Sequence, residues 1–281
     1  MCKALKYTAN IIFALCSCVM LNGQVLRCKY LYEYKTDAAQ RYKTDYSLCT
    51  ESDGNVLLCY SENQVLRDSV GAVSAEACED IATIQGKMSR YPKGQTWFII
   101  GNPSEGYFHE YATVQITTHL DGVGKYPVPE WKLKKETEEI CGYTCSTAVA
   151  EYLGRTWIIW FAEEISLSLG PWLLWGAPGM ILKAEDEQGL FRFTCEEISV
   201  AQETRQKLLL YLYERFRPNG YPYYSNDIRE MEQLLTRMQR YPEVFDEMSG
   251  SKTKVYTPDG HLDTGLIEFP YIPLIPEGYW D

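Results

Sequence analysis

Apolar and polar residues alternate over much of the middle of the chain, which is the pattern expected for strands that bury one face. The stretch LFRFTCEEISV at 190–200 shows it clearly, because every second residue from 191 to 195 is apolar. From Trp131 onward, similar short runs are separated by glycine and polar turns such as EDEQG at 185–189. This arrangement predicts an antiparallel meander.

Towards the C-terminus the hydrophobic period changes from that of a strand to that of a helix. Asp227 and Glu230 fit a capping box, and we expect a helix from about 226 to 241, packed on the sheet. The predicted fold class is therefore mainly β: an antiparallel, curved sheet with a packed C-terminal helix, or α+β in strict terms. The apolar residues at helical spacing are Ile228, Met231, Leu234, Leu235, Met238 and Tyr241.

Three other stretches are less regular. Residues 74–91 suit a short helix or a mobile insertion, and residues 206–216 suit either a strand or a helix. The tail FPYIPLIPEGYWD at 269–281 contains three prolines. Proline cannot continue a β-ladder, so the tail is predicted to run extended over the protein.

The first 23 residues have the layout of a secretory signal peptide, with two lysines, an apolar stretch and a small or polar end. We expect cleavage after Gly23, which leaves residues 24–281 as a single domain in the periplasm, at the cell surface or secreted. Two alternatives are a lipoprotein site that makes Cys18 a lipidated anchor, and a buried N-terminal strand or helix.

Hydropathy and net charge argue against two classes of partner, the membrane interior and nucleic acid. The best candidate for a further membrane span, TWIIWFAEEISLSLGPWLLW, carries Glu163 and Glu164 in its middle, so we expect no transmembrane segment in the mature chain. The formal net charge is -11 and becomes -13 without the leader, which holds Lys3, Lys6 and no acids. An acidic chain with no basic run repels phosphate backbones, which argues against nucleic acid as a partner.

Seven cysteines follow the leader, and in an exported protein some are expected to form disulfides. If Asp53-Gly54-Asn55 is a three-residue hairpin loop, Cys49 lies opposite Cys59, within disulfide range. The alternative is two buried free thiols. Zinc is disfavoured because no Cys-x2-Cys spacing occurs, and we predict no metal site. The seven are Cys28, Cys49, Cys59, Cys78, Cys141, Cys145 and Cys195.

The segment GPWLLWGAPGMIL at 170–182 combines a sharp turn with large apolar side chains. Pro178 and Gly179 fit the two central positions of a type II turn, in which the glycine takes a positive φ, and Gly176 allows close packing before it. Trp172 and Trp175 are interpreted as a plug that closes one end of the sheet or as the partly exposed lip of a binding groove.

At these residues the sequence resembles the GLPGLI family, exported proteins of Gram-negative bacteria whose function is unknown. Residues 176–181 read GAPGMI, so four of the six positions match the family hexapeptide. The resemblance covers roughly residues 45–245 and implies export, and it supplies no catalytic residues. Further similar positions are Gly142-Tyr143-x-Cys145, Trp160-Phe161, Glu164-Ile165, Gly170-Pro171, Glu185-Asp186, and residues 60–69, which resemble an early strand of the family.

Candidate chemistry is sparse. His109 and His119, with Glu110 and Asp121 nearby, are candidates for a His-carboxylate pair or a metal site. The acidic turns at 53–55 and 185–187 are candidates for calcium. Solvated turns and surface histidines explain these residues equally well, and no cofactor motif is present. We therefore predict no catalytic residues, no cofactor and no enzyme activity.

The sequence favours an exported, non-catalytic binding or interaction module of the bacterial cell envelope, with an envelope protein as its partner. The first alternative is a periplasmic carrier for a lipid or other apolar ligand. The second is a hydrolase or thiol-dependent enzyme. The cavity of the carrier would be lined by Trp157, Trp160, Trp172 and Trp175.

Overall fold

The computed structural model describes residues 24–35, 41–51, 57–95, 97–114, 118–202, 222–225, 227–240, 255–256, 262–263, 274–276 and 278–279. Within them, twelve strands form one open sheet in the order β12-β6-β5-β4-β3-β2-β1-β11-β10-β9-β8-β7. Neighbouring strands are antiparallel except β12, which lies parallel to β6. Together with a C-terminal helix, this confirms the predicted fold class.

The strands of this sheet are β1 (Gln24–Lys35), β2 (Arg41–Glu51), β3 (Leu57–Tyr60), β4 (Trp97–Asn102), β5 (Tyr107–Val114), β6 (Thr118–Lys125), β7 (Lys132–Ile140), β8 (Tyr143–Tyr152), β9 (Arg155–Ala162), β10 (Met180–Asp186), β11 (Phe191–Gln202) and β12 (Pro222–Ser225). A separate two-stranded sheet pairs β13 (Val255–Tyr256) with β14 (Leu262–Asp263). The helices are α1 (Glu62–Glu76), α2 (Ile81–Met88) and α3 (Ile228–Arg240).

The sheet is curved, because strands far apart in its order meet across one face. The Trp175 ring packs on Phe108 of β5 with 5.7 Å between ring centroids, and it also lies beside Tyr152 of β8. These strands are eight positions apart in the sheet, which corresponds to ~38 Å in a flat sheet. One indole bridges them only if the sheet bends around it. We call the enclosed side the concave face and the opposite side the outer face.

Helix α3 packs on the concave face at β5 and β6, as the sequence predicts. Two glycines of β6 make the close approach possible: a Cβ at Gly122 would lie 2.7 Å from the Met231 Cβ, and one at Gly124 would lie 2.5 Å from the Ile228 Cγ2. The Asp227 side chain accepts a hydrogen bond from the Arg229 amide at 2.9 Å, which caps the helix.

The register of the β2–β3 hairpin differs by one residue from the prediction. Cys49 pairs with Leu58, and Cys59 pairs with Leu48. The innermost pair, Thr50 and Leu57, is separated by six residues, whereas the predicted register requires an odd number between paired residues. A shift of one residue moves side chains to opposite faces of a sheet, so the predicted Cys49–Cys59 disulfide is wrong, and both thiols are free and buried.

A helix replaces the early strand that the family resemblance implied at 60–69, since α1 begins at Glu62. The side chain of Ser61 accepts a hydrogen bond from the Gln64 amide at 3.1 Å, and Asp45 of β2 accepts one from the Asn63 amide at 3.0 Å. These bonds satisfy amide groups that the first turn of a helix leaves unpaired. Residues 74–91 contain the end of α1 and all of α2.

No helix in the described ranges is both long enough and apolar enough to cross a membrane. The predicted leader at 1–23, the segment 206–216 and His261 lie outside the described residues, as does most of the tail.

Candidate functional site

The connection between β9 and β10, residues 163–179, crosses the concave face of the sheet. We call it the aromatic bend. Its own backbone closes it at both ends: the Met180 amide donates to the Ile165 carbonyl at 3.1 Å, and the Gly176 amide donates to the Ser168 carbonyl at 3.0 Å. A third bond joins the Ile181 amide to the Leu169 carbonyl at 2.8 Å. The aromatic bend is therefore a closed loop with fixed ends.

The torsions of the aromatic bend correct the predicted type II turn. The positive φ occurs at Gly176, at +80°, and at Trp172, at +55°, whereas Gly179 does not have one. Gly179 is required for a different reason, since a Cβ there would lie 2.1 Å from the Ala162 carbonyl oxygen. Pro178 is exposed at the outside of the turn.

Hydrogen bonds from two distant strands and from the residue before β7 hold the aromatic bend and the start of β10 in place. The Trp172 amide donates to the Tyr46 hydroxyl of β2 at 2.9 Å. The Tyr30 hydroxyl of β1 donates to the Ile181 carbonyl at 2.7 Å, and the Trp131 indole donates to the Trp175 carbonyl at 2.7 Å. The segment is thus bonded to the sheet as well as packed against it.

Three of the four tryptophans predicted to line a cavity are part of the core. Trp157, Trp172 and Trp175 are 0%, 3% and 7% exposed, and the rings of Trp157 and Trp172 lie 5.7 Å apart. Trp160 is on the outer face, where the Lys183 ammonium lies 4.2 Å above its ring. Positions 157 and 160 differ by an odd number on one strand, so they face opposite sides. A cavity lined by all four is therefore wrong, and the plug interpretation is favoured.

One polar group beside the aromatic bend is buried without a partner. Within the described residues, the indole nitrogen of Trp157 makes no hydrogen bond, whereas the buried Tyr152 hydroxyl and Trp175 indole are neighbours that interact with each other. Leaving a buried donor unsatisfied costs about 1–3 kcal/mol. The Trp157 indole is therefore a chemically unsatisfied group of the concave face.

A carboxyl pair lies beneath α3, next to these groups. Glu110 of β5 hydrogen-bonds to Glu232 of α3 and accepts a bond from the Tyr126 hydroxyl at 2.6 Å. Burial raises the pKa of Glu110, and burial followed by the charge of Glu110 raises the pKa of Glu232 well above its ordinary value. A shared proton is therefore favoured. No sequence pattern predicts this pair, although Glu110 occupies a core position between the buried Phe108 and Ala112.

The other chemical candidates are engaged in ordinary contacts. His109 faces away from Glu110 and stacks on Tyr111, with 4.3 Å between ring centroids. Only the backbone of His119 is described, and the acidic turn at 53–55 lies outside the described residues. In the turn at 185–187, Glu185 pairs with Arg192 at 2.8 Å and Asp186 accepts the Phe191 amide at 2.7 Å.

The buried thiols are poorly suited to act as nucleophiles. Burial raises the pKa of Cys49 to about 11 and the pKa of Cys59 and Cys145 to about 12. The thiolate is the reactive form of cysteine, and a reactive site lowers the thiol pKa rather than raising it. In the part of the chain that the structure covers, no group of three or more histidine, cysteine or acidic side chains is arranged to hold a metal ion.

No protein-family model and no curated protein matches the chain. Among solved structures, two of PNGF-II overlap 74% of this chain and 32% of their own, at 13% identity and TM-scores of 0.48 and 0.49. A LolA superfamily protein from Nitrosomonas europaea overlaps 70% of this chain and 96% of its own, at 7% identity and a TM-score of 0.26. The chain thus spans about a third of PNGF-II, and with TM-scores below 0.5 none of these likenesses supports a functional assignment. The resemblance to the GLPGLI family stays a prediction.

Proposed function

We propose that the protein is an exported, non-catalytic interaction module of the bacterial cell envelope, which contacts its partner through its outer surface. One observation carries this proposal. The concave face, where a curved sheet would take up a ligand or substrate, is occupied by the chain's own Trp172, Leu173, Leu174 and Trp175, all buried. A filled interior leaves the outer surface for recognition.

The charge distribution on the outer face supports the same proposal. Glu33 of β1 lies 3.3 Å from the Lys43 ammonium of β2 and 3.5 Å from the Arg192 guanidinium of β11, which in turn pairs with Glu185 of β10. A row of charges therefore crosses four neighbouring strands. Glu33 is buried, and the exposed Lys43 and the partly exposed Arg192 and Glu185 side chains surround it. Ordered charges at a surface give specificity to an interface.

Native mass spectrometry of the protein purified from its envelope under non-denaturing conditions tests the proposal. We expect the mass of the mature polypeptide, alone or with a bound protein, and no lipid. A stoichiometric adduct in the mass range of a lipid that is lost on organic extraction contradicts the proposal. The variant Trp160→Ala, which changes only the outer face, serves as a control that should leave the adduct pattern unchanged.

A second function, carriage of an apolar ligand that bears a hydrogen-bond acceptor, is favoured by the unsatisfied indole nitrogen of Trp157. A ligand that displaced the aromatic bend would supply the acceptor that this donor lacks. The same measurement separates the two functions, because the carrier retains a lipid adduct and the interaction module does not.

A further inference from the structure

Three thiols meet where the turn between β7 and β8 contacts β11. Cys141 lies in that turn, Cys195 lies on β11, and Cys28 lies on the neighbouring strand β1. Cys195 hydrogen-bonds to both of the other thiols. The Cys141 thiol also donates to the carbonyl oxygen of Cys195 at 3.1 Å. The three side chains form one connected group although they are distant in the sequence.

The turn holds Cys141 in a conformation that cysteine does not favour. Its φ is +51° and that of Gly142 is +83°, and Ile140 pairs with Tyr143 across them. Two residues with positive φ in a two-residue hairpin loop correspond to a type I′ turn, in which Asn-Gly is preferred. The left-handed conformation has a torsional cost for a residue with a Cβ. Despite that cost, the turn places the thiol against Cys195.

The contact lies where the pairing of two central strands stops. β10 pairs with β11 only from Lys183–Glu185 to Arg192–Thr194. Cys195 is the next residue of β11, and Cys141 contacts it there. A covalent bond at this point would link the β7–β8 end of the sheet to its centre.

The solvent exposure of the three thiols determines which of them an external reagent can reach. Cys141 is exposed, whereas Cys195 and Cys28 are buried. The hydrogen bond to Cys195, followed by burial, raises the pKa of Cys141. The thiolate is therefore scarce at neutral pH, and exchange should be faster in alkaline solution.

We propose that Cys141 and Cys195 are a disulfide-forming pair, oxidised by exchange with an external disulfide, which enters at Cys141. The Cys141 thiolate attacks one sulfur of the external disulfide, forms a mixed disulfide and releases one thiol. The Cys195 thiolate then attacks the Cys141 sulfur, forms the internal disulfide and releases the second thiol. The two protein thiols lose two electrons and two protons, and the external disulfide gains them. This inference does not depend on the partner or ligand of the protein.

Oxidised glutathione, added to the reduced full chain at about pH 8.5, provides the test. After free thiols are blocked with iodoacetamide, peptide mapping should show one cross-link, which joins Cys141 to Cys195. Cross-links from Cys195 to Cys28, or from Cys141 to Cys145, contradict the proposal. The proposal is also contradicted if, at equilibrium, peptide mapping finds Cys141 only as the mixed disulfide with glutathione.

Two variants test whether the cross-link depends on Cys141. Cys141→Ser, whose hydroxyl can keep the hydrogen bond to the Cys195 carbonyl, should leave Cys195 fully reduced. Cys78→Ser removes another exposed thiol, which lies between α1 and α2, and should leave the cross-link unchanged. Oxidation should raise the Tm of the wild type and of Cys78→Ser by about 5 °C or more and leave that of Cys141→Ser unchanged. An equal rise in Cys141→Ser would overturn the assignment.

Discussion

The concave face of the sheet is packed with buried apolar side chains, whereas the outer face carries charged ones. Strand β9 contributes to both faces. On the concave side, Trp157 is fully buried against Trp172, and its indole nitrogen has no partner in the described residues. On the outer side, three residues further along, Trp160 lies under Lys183. The concave side gains stability from filled apolar volume, and the outer side presents charges that rearrange at little cost. This difference is the reason that we propose the outer face, rather than the concave face, for recognition.

The largest expected difference between the faces is the cost of removing a tryptophan. Trp172→Ala should lower the free energy of unfolding by about 3–5 kcal/mol, because it leaves a cavity in the core. Trp160→Ala should cost less, about 1–2 kcal/mol, because Trp160 is only half-buried and its main contact is the cation–π interaction with Lys183. Urea denaturation monitored by circular dichroism measures both. Equal costs for the two variants would remove the distinction between the faces.

The close approach at Gly179 is the next test of the concave face. Gly179→Ala places a Cβ against the backbone of Ala162 and should cost about 1–3 kcal/mol of unfolding free energy. Gly86→Ala in α2 is the matched control, since nothing lies within 4 Å of its Cβ position, and it should stabilise the protein by about 0.5–1 kcal/mol. A tolerated Gly179→Ala would mean that the aromatic bend can move away from the sheet.

The carboxyl pair predicts how the concave face responds to pH. The folded-state pKa values of Glu110 and Glu232 are raised above the ordinary value of 4.5. The stability of the protonated pair is therefore complete below that value and is lost as the pH rises through the folded-state pKa values, with a slope of at most about 1.4 kcal/mol per pH unit for each proton. Glu232→Gln keeps a neutral hydrogen-bonding group and should flatten this slope. An unchanged slope in urea titrations at several pH values would contradict the shared proton.

The smallest expected effect concerns the helix that covers the carboxyl pair. Asp227→Ala removes the N-cap of α3 and should cost about 1 kcal/mol, whereas Asp227→Ser should retain most of the stability because serine also caps. Thermal unfolding measures both variants. If alanine and serine behave alike, the contacts of Ile228 and Met231, rather than the cap, hold the start of α3.

The sequence predicts those elements in which local pattern and tertiary structure agree. Alternation at 191–195 and the capping box at Asp227 identify β11 and α3. The Ser61-x-x-Gln64 spacing is also a capping signal, and it would have identified α1. The contact of Glu110 with Glu232 could not be predicted, because it depends on where α3 packs. The cysteine register failed because it depends on the length of one loop, and a single residue reverses which face each thiol occupies.

Native-state hydrogen exchange measures whether residues 170–176 of the aromatic bend are a fixed part of the core. The amides of Trp172, Gly176 and Ile181 donate to Tyr46, Ser168 and Leu169, respectively. If the bend is fixed, these three amides exchange only through global unfolding. Their exchange then has the same free energy and denaturant dependence as that of core amides in β1. Exchange at a much lower free energy that is independent of denaturant would contradict the account, because it would show that the bend leaves the concave face while the sheet stays folded.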